Sequence, residues 1–306
     1  MAQPRTLGSM SDTALLDDDR PVPHEDAVDD LIALIGDRRV VVLTGAGIST
    51  DSGIPDYRGP DSPPRNPMTY QQFVGDPEFR RRYWARNHVG WRYMDAARPN
   101  DGHRALVTLE RRDVVAGVIT QNVDLLHTKA GSRRVIDLHG SYAQVRCLAC
   151  GERISRMTLA DRLERVNPGF GVSSVTGLEV APDADAVVED IAGFRMVDCA
   201  RCGGLLKPDI VYFGENVPPE RVAAANELVD AAEVILVAGS SLTVWSGRRF
   251  VHRVARRGGT VLIVNRGATR GDSVAARTVD AGCSPILARL AGRFADRRPA
   301  APYGNR

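Results

Sequence analysis

Between Val135 and Cys150 the chain reads VIDLHGSYAQVRCLAC, which sets His139 eight positions before the first cysteine of a Cys-x-x-Cys pair. A second pair, Cys199 and Cys202, follows after residues 151–198. In a reducing compartment two such pairs, Cys147 with Cys150 and Cys199 with Cys202, read as zinc thiolates rather than disulfides. Four thiolates complete a tetrahedron and leave no open position, so such a metal holds a fold and activates no water. His139 is then free for other work. Its unperturbed pKa lies close to neutral pH, which suits a general base. A lone histidine at a strand end serves equally well as a satisfied structural side chain.

A second group of residues suits a phosphate-bearing ligand. LTGAGIST places Gly45, Ala46 and Gly47 directly after an apolar run. Glycines there let the backbone approach a pyrophosphate beside a helix N-terminus. Thr50 stands where the dehydrogenase pattern has its third glycine, and Gly-x-Gly alone also suits a plain tight turn. In DSGIPDYRGP, Gly53, Pro55, Gly59 and Pro60 forbid a regular helix. A loop carrying Asp56, Tyr57 and Arg58 therefore follows. Arg58 offers a cation to a phosphate and Tyr57 a ring to cover a reactive sugar; a surface loop with an ordinary ion pair is the plainer reading. TQNVD puts Gln121, Asn122 and Asp124 after a strand, where amide and carboxylate groups can hold a carboxamide or cap a helix.

These residues need a frame to position them. Val28, Leu31, Ile32 and Ile35 follow helical spacing and predict a helix over 26–36. Apolar, mostly β-branched runs predict strands at Val40–Leu43, Val114–Ile119, Val135–Leu138, Ile210–Phe213, Val234–Val237 and Val261–Val264. Helical patterns lie at 219–231, 246–257 and 285–295. The alternation predicts an α/β fold with a doubly wound, Rossmann-like parallel sheet. Residues 60–100, with Pro63, Pro64, Pro67, Pro77 and many aromatics, and residues 142–207, with both cysteine pairs, interrupt it. The expected division is a Rossmann-like domain from 27–60, 101–141 and 208–296, a helical insertion with a cofactor loop at 61–100, a zinc-binding insertion at 142–207, and tails at 1–26 and 297–306.

Composition narrows the partners. Forty basic and 38 acidic residues leave a net charge of +2, which gives no reason to expect specific nucleic-acid binding. The run Arg80-Arg81-Arg82 reads as a solvated helix face. No apolar run approaches a membrane span. The acidic, proline-containing start has neither the apolar core of a signal peptide nor the character of a transit peptide. The cytoplasm is the expected compartment.

Taken together and in order, GAGISTDSGIPDYRGP, TQNVDLLHTKAG, DLHGS, the two cysteine pairs, LKPDIVYFGE, AGSSLTVWSG and LIVNRG resemble the sirtuins, NAD-dependent protein-lysine deacylases. The resemblance spans about residues 28–295. RYWARNHVGW and HTKAGSRR resemble the class II branch that includes the mitochondrial lipoamidase-type member, and the start of the chain suggests a bacterial relative. Tyr57 departs from the phenylalanine that many sirtuins carry there, with the ring kept.

The resemblance implies NAD as cofactor, one structural zinc per chain, and acyl-lysine proteins as substrates. It makes His139 the base that activates a ribose hydroxyl, with Asn122 beside it, and His127 structural. NAD would be held by Gly45, Ala46, Gly47, Ser49, Ile54, Asp56, Tyr57, Arg58, Gln121, Asn122 and Asp124, then by Gly239, Ser240, Ser241, Asn265, Arg266 and Gly267. Cys283 lies near the adenine by the same pattern, or is a buried structural thiol. Val211, Phe213, Gly214 and Glu215 would bind the substrate, with the peptide paired as an added strand around 211–215. Tyr83 and Arg86 share a helix face at i and i+3 and have the spacing of an acyl-carboxylate reader. Mono-ADP-ribosyl transfer uses the same NAD residues and is the alternative activity; a non-catalytic NAD-sensing zinc-ribbon adaptor is the alternative of another class.

Overall fold

The computed structural model describes residues 25–59, 62, 66–170, 191 and 193–295. The expected tails, apart from Glu25 and Asp26, and residues 171–190 of the zinc-binding insertion lie outside the described residues, as do Pro60, Pro63 and Pro64.

The helix expected over 26–36 is α1 (Glu25–Ile35), with Ala27, Val28, Leu31 and Ile35 buried. It leads into β1 (Val40–Thr44), buried at every position. After the glycine turn come α2 (Tyr70–Gly75), α3 (Pro77–Ala96) and α4 (Asp101–Arg111). Asp76 caps α3, with Pro77 in its first turn, and Asn100 caps α4. Next are β2 (Val115–Thr120), α5 (Leu126–Ala130), β3 (Val135–Asp137), β4 (Gly140–Cys147), β5 (Arg153–Ser155), α6 (Arg156–Val166) and β6 (Leu206–Ile210). The chain continues through α7 (Pro219–Asp230), β7 (Val234–Ala238), α8 (Trp245–Arg256), β8 (Thr260–Asn265), β9 (Arg277–Asp280) and α9 (Cys283–Arg293).

Six strands form a parallel sheet in the order β3-β2-β1-β7-β8-β9. Helices α1, α4 and α9 cover one face and α7 and α8 the other, each with its own apolar cluster. Each fully buried Val, Leu or Ile contributes about 1.5–3 kcal/mol on removal from water, which is why the central strands read as unbroken apolar runs. The strand order reverses between β1 and β7. In open α/β sheets ligands bind at the carboxyl edge beside such a switch point.

The strand expected at Ile210–Phe213 differs in place and sheet. β6 begins four residues earlier and pairs antiparallel with β4, Leu206 opposite Cys147 and Ile210 opposite Gly140, in a three-stranded sheet ordered β5-β4-β6. Lys207 interrupts the apolar pattern, yet it is buried, with Nζ 2.9 Å from Glu215. That ion pair lets a lysine occupy a strand interior. β9 lacks an apolar run, and only Val279 of its four residues is buried. α2, α3, β4, α6 and β6 share a separate cluster around Phe73, Tyr83, Trp84, Leu159 and Tyr212.

Candidate active site at the carboxyl edge of the sheet

The turns after five strands converge on one cleft of about 270 Å³. Gly45, Ala46 and Gly47 follow β1, and Gln121 and Asn122 follow β2. His139 follows β3, Gly239, Ser240 and Ser241 follow β7, and Asn265, Arg266 and Gly267 reach in from β8. Asp56, Tyr57 and Arg58 close one side from their loop, and Phe213 stands opposite, its ring edge-on to Tyr57 at 6.1 Å. Asp56 accepts from the Gly59 amide at 2.8 Å, which bends the loop back on itself.

Glycine is required where the β1 and β7 turns interlock. Gly239 has φ 68°, and a Cβ there would lie 2.3 Å from the Ile48 nitrogen. A Cβ on Gly45 would lie 2.7 Å from the Gly239 carbonyl. The Gly47 amide donates to that carbonyl at 2.9 Å, so the two turns are tied at the switch point. Leu242, just beyond Ser241, is held at φ 55°, a conformation of the kind that clusters at ligand sites.

Gln121 links three elements. Its carbonyl faces His139 Nδ1 at 2.9 Å, and its Oε1 accepts from the Ser240 hydroxyl at 2.7 Å. A carbonyl only accepts, so Nδ1 carries the ring proton and Nε2 the lone pair. Nε2 lies 2.7 Å from the Ser246 hydroxyl. Burial lowers the His139 pKa to about 4, with Arg221 and Arg249 adding to the fall against the Gln121 carbonyl. The ring is therefore neutral at neutral pH and presents a proton acceptor at the cleft wall.

Three expected NAD residues lie behind that wall. Ser49 is buried and donates to Asp124 Oδ2 at 2.7 Å; Asp124 also accepts from the Leu126 amide at 2.9 Å. Asn122 Nδ2 donates to Ser49 Oγ at 3.0 Å and to the Gly45 carbonyl at 3.1 Å. Burial raises the Asp124 pKa. Ile54 packs against Trp91 and Met94. A neighbouring cavity of about 230 Å³ shares Gly47, Asp56, Gly239 and Asn265 with the cleft and reaches Cys283. Burial pushes the Cys283 thiol up to about 12, which leaves it protonated and unreactive. His127 is buried too, with Nε2 2.9 Å from the Thr44 hydroxyl.

The four cysteine sulfurs lie within 4.8 Å of one another, with Cys147–Cys202 at 3.6 Å and Cys150–Cys199 at 3.8 Å. Those separations are far beyond a disulfide bond of about 2.05 Å. They match sulfurs placed about 2.3 Å from a common tetrahedral centre. Four sulfurs and no nitrogen fit a structural zinc. His139 belongs to the cleft, so the histidine and the cysteines form two sites.

Comparison with known proteins agrees with this arrangement. The Sir2 family model matches residues 45–246. The chain is 67% identical over 264 residues to NAD-dependent protein deacetylase 1 of Mycobacterium avium, covering 86% of this chain and 94% of that one. It is 54% identical over 257 residues to NAD-dependent protein deacetylase 1 of Streptomyces coelicolor, covering 83% and 86%. The chain belongs to the Sir2 family. A solved Sir2 with a p53 peptide and NAD+ superposes with a TM-score of 0.70 at 31% identity, covering 87% of this chain and 98% of that one. A Sir2 solved with an inhibitor, 2'-O-acetyl-ADP-ribose and deacetylated p53 peptide gives 0.68 at 31% identity, again covering 87% and 98%.

In this Sir2 chain the strip 211–215, expected to hold substrate, is tied into the protein by its own backbone. The Val211 amide donates to the His139 carbonyl at 2.8 Å, and the Phe213 carbonyl accepts from Tyr70 at 2.9 Å. Glu215 turns inward: its carboxylate takes Lys207 and accepts from the Tyr212 amide at 3.0 Å. It braces the strip from behind, and Gly214 completes the turn at φ 77°. Tyr83 is buried against Phe73, Trp84 and Tyr212, not in the cleft. Its ring belongs to the core behind residues 211–215 rather than to the cleft lining. Gly59, Thr243, Val244 and Ala268 also line the cleft, beyond the residues expected to hold NAD. Ser246 was missed as well, because nothing local in TVWSG reports a contact made across 107 positions.

Proposed function

We propose that this chain is an NAD-dependent protein-lysine deacylase, with His139 as general base. The observation that carries the proposal is the 2.9 Å contact between His139 Nδ1 and the Gln121 carbonyl, which sets the ring's tautomer. Nδ1–H is spent on the Gln121 carbonyl, so the accepting nitrogen is set at the wall of a cleft built like a dinucleotide site. NAD, when bound, supplies the ADP-ribose that takes the acyl group as nicotinamide leaves. The β1 and β7 turns and Ser240 would receive the phosphates, Asn265 to Gly267 the adenosine, and Gln121 and Asn122 the nicotinamide end. Ser49 and Asp124 would act from behind, by fixing Asn122. Tyr57 and Phe213 would keep water from the sugar. His139 takes the proton of a ribose hydroxyl and holds it on Nε2.

The relatives' names support this reading, as does the peptide and NAD+ seen together in a similar Sir2. Acyl-lysine proteins are the proposed substrates, held along 211–215. With Val211 and Tyr212 amides and the Tyr212 and Phe213 carbonyls engaged within the chain, an added strand would pair through other groups. Among the described residues no helix is long and apolar enough to cross a membrane. The near-neutral charge gives no reason to expect a specific nucleic-acid partner, a cytoplasmic location remains the proposed one, and RYWARNHVGW and HTKAGSRR favour the class II branch. The Rossmann-like domain is proposed to comprise 27–60, 101–141 and 208–296, with the three-stranded sheet taking in 208–210.

The test is incubation with NAD and a panel of acyl-lysine peptides, followed by mass spectrometry. Release of nicotinamide with 2'-O-acyl-ADP-ribose is expected. Protein-bound ADP-ribose as the main product would mark an ADP-ribosyltransferase, and no nicotinamide release with any peptide would leave only an NAD-binding adaptor.

A further inference from the structure

His139 is gripped at both ring nitrogens by groups from different parts of the fold. Nδ1 is held by the Gln121 carbonyl after β2, and Nε2 faces the Ser246 hydroxyl at 2.7 Å, from the first turn of α8. Nε2 is the lone-pair nitrogen, so in the resting protein Ser246 must donate to it. Ser246 is not a helix cap: the N-cap of α8 is Val244, which makes no side-chain cap bond. Phe250, Val251 and Val254 fix α8 in the core, so the hydroxyl is presented from a rigid element. The next residue, Gly247, allows the approach. A Cβ there would lie 2.7 Å from the Gln121 side-chain amide. One glycine thus lets the first turn of α8 close onto both Gln121 and His139.

From this juxtaposition we infer that Ser246 is a positioning residue for the base, keeping Nε2 aligned in both of its protonation states. The inference rests on the deacylase reading above. A hydroxyl suits the task because it donates to neutral imidazole and, after rotation, accepts from imidazolium. As a ribose hydroxyl approaches, Ser246 yields the lone pair. The O–H bond would break, its proton would go to Nε2, and the freed oxygen pair would attack the acyl carbon as that carbon's π pair moves onto the lysine nitrogen. Nε2–H then donates to Ser246 Oγ. That acceptor matters because His139 sits half-buried at the cleft wall near Arg221 and Arg249, where imidazolium is otherwise poorly stabilised. Departure of nicotinamide needs no base, so Ser246 acts on the later step alone.

The test compares wild type, Ser246→Ala and Ser246→Thr in three measurements: exchange of labelled nicotinamide into NAD with acyl-peptide, single-turnover acyl transfer, and ¹⁵N NMR of histidine rings in the ligand-free protein. Ser246→Ala should slow transfer by about 10- to 100-fold, the scale of a misplaced catalytic group, while exchange stays at the wild-type rate. Its His139 Nε2 resonance should shift as the donor is lost, and Ser246→Thr should restore both transfer and resonance. Transfer unchanged or faster in Ser246→Ala, an unmoved Nε2 signal, or equal loss of exchange and transfer would each overturn the inference. His139→Ala is run alongside: if transfer survives in it, the assignment of the base fails rather than the role of Ser246.

Discussion

The Ser49 hydroxyl donates to Asp124 across 2.7 Å beneath the cleft floor, and the pair is buried. Asp124 also receives the Leu126 amide, and Ser49 receives Asn122, so one carboxylate fixes both Asn122 and the start of α5. Asp124→Ala strands two buried donors, at about 1–3 kcal/mol each. It should lower thermal stability and weaken NAD binding through Asn122, while ADP-ribose, lacking nicotinamide, binds nearly as before. Calorimetric titration with both ligands checks this; equal weakening of the two would refute the route through Asn122.

Gly239→Ala should damage the whole dinucleotide cleft. Its φ of 68° disfavours any side chain, and the new methyl would meet the Ile48 nitrogen. Backbone strain alone costs about 1–3 kcal/mol. Loss of both NAD and ADP-ribose binding is expected, in contrast to Asp124→Ala. Wild-type affinity for ADP-ribose would count against the interlocked turns as the phosphate site.

Lys207 and Glu215 test the support of the substrate strip. Lys207 is buried and Glu215 largely covered, and removing one partner of a buried pair costs about 3–5 kcal/mol, here less because Glu215 keeps some exposure and Arg146 lies 3.5 Å from it. Lys207→Met should raise KM for acyl-peptide severalfold and leave KM for NAD unchanged. A matching rise in both constants would show a general loss of structure instead.

The two-site reading separates metal from catalysis. Cys147→Ser or Cys202→Ser should lose zinc by elemental analysis and lower Tm, since metal affinity is part of folding free energy. His139→Ala should keep its zinc and lose about 10²–10⁴-fold in deacylation. Release of zinc from a folded His139→Ala protein would join the two sites again.

Acid should destabilise this protein through its histidines. Burial lowers the pKa of His88, His103 and His139 to about 4, and that of His127 well below the ordinary 6.5. Unfolding lets each take up a proton between its folded pKa and about 6.5, so stability falls as pH drops through that window and is flat above it. Asp137, raised to about 6 by burial, and Asp124, also raised, act in the opposite sense, because the folded state holds their protons more tightly. Four histidines outweigh two carboxyls. Tm should therefore be level from pH 8 to about 6.5 and decline towards pH 4; a Tm that rises on acidification would contradict the sign.

What the sequence determined by itself was chemistry and order. Strands buried on both faces must be apolar, so β1, β2, β7 and β8 announced themselves. Cysteines two apart share a metal by local geometry, and a glycine turn after a strand is a local event. DLHG, TQNVD and AGSS therefore pointed to the residues that line the cleft. Tertiary structure decided where those side chains face and what they spend their bonds on. The strand of LKPDI joined the small sheet, and Lys207 can be buried in it because it meets Glu215, eight residues on and across a turn. Asp124 and Ser49 sank beneath the wall, Glu215 turned inward to Lys207, and Ser246 met His139, through contacts set by sheet order and helix packing. Sequence spacing fixes neighbours within a turn or strand. Contacts between elements far apart in the chain are fixed only when the whole sheet has closed its register, and those contacts hold the His139 ring in place.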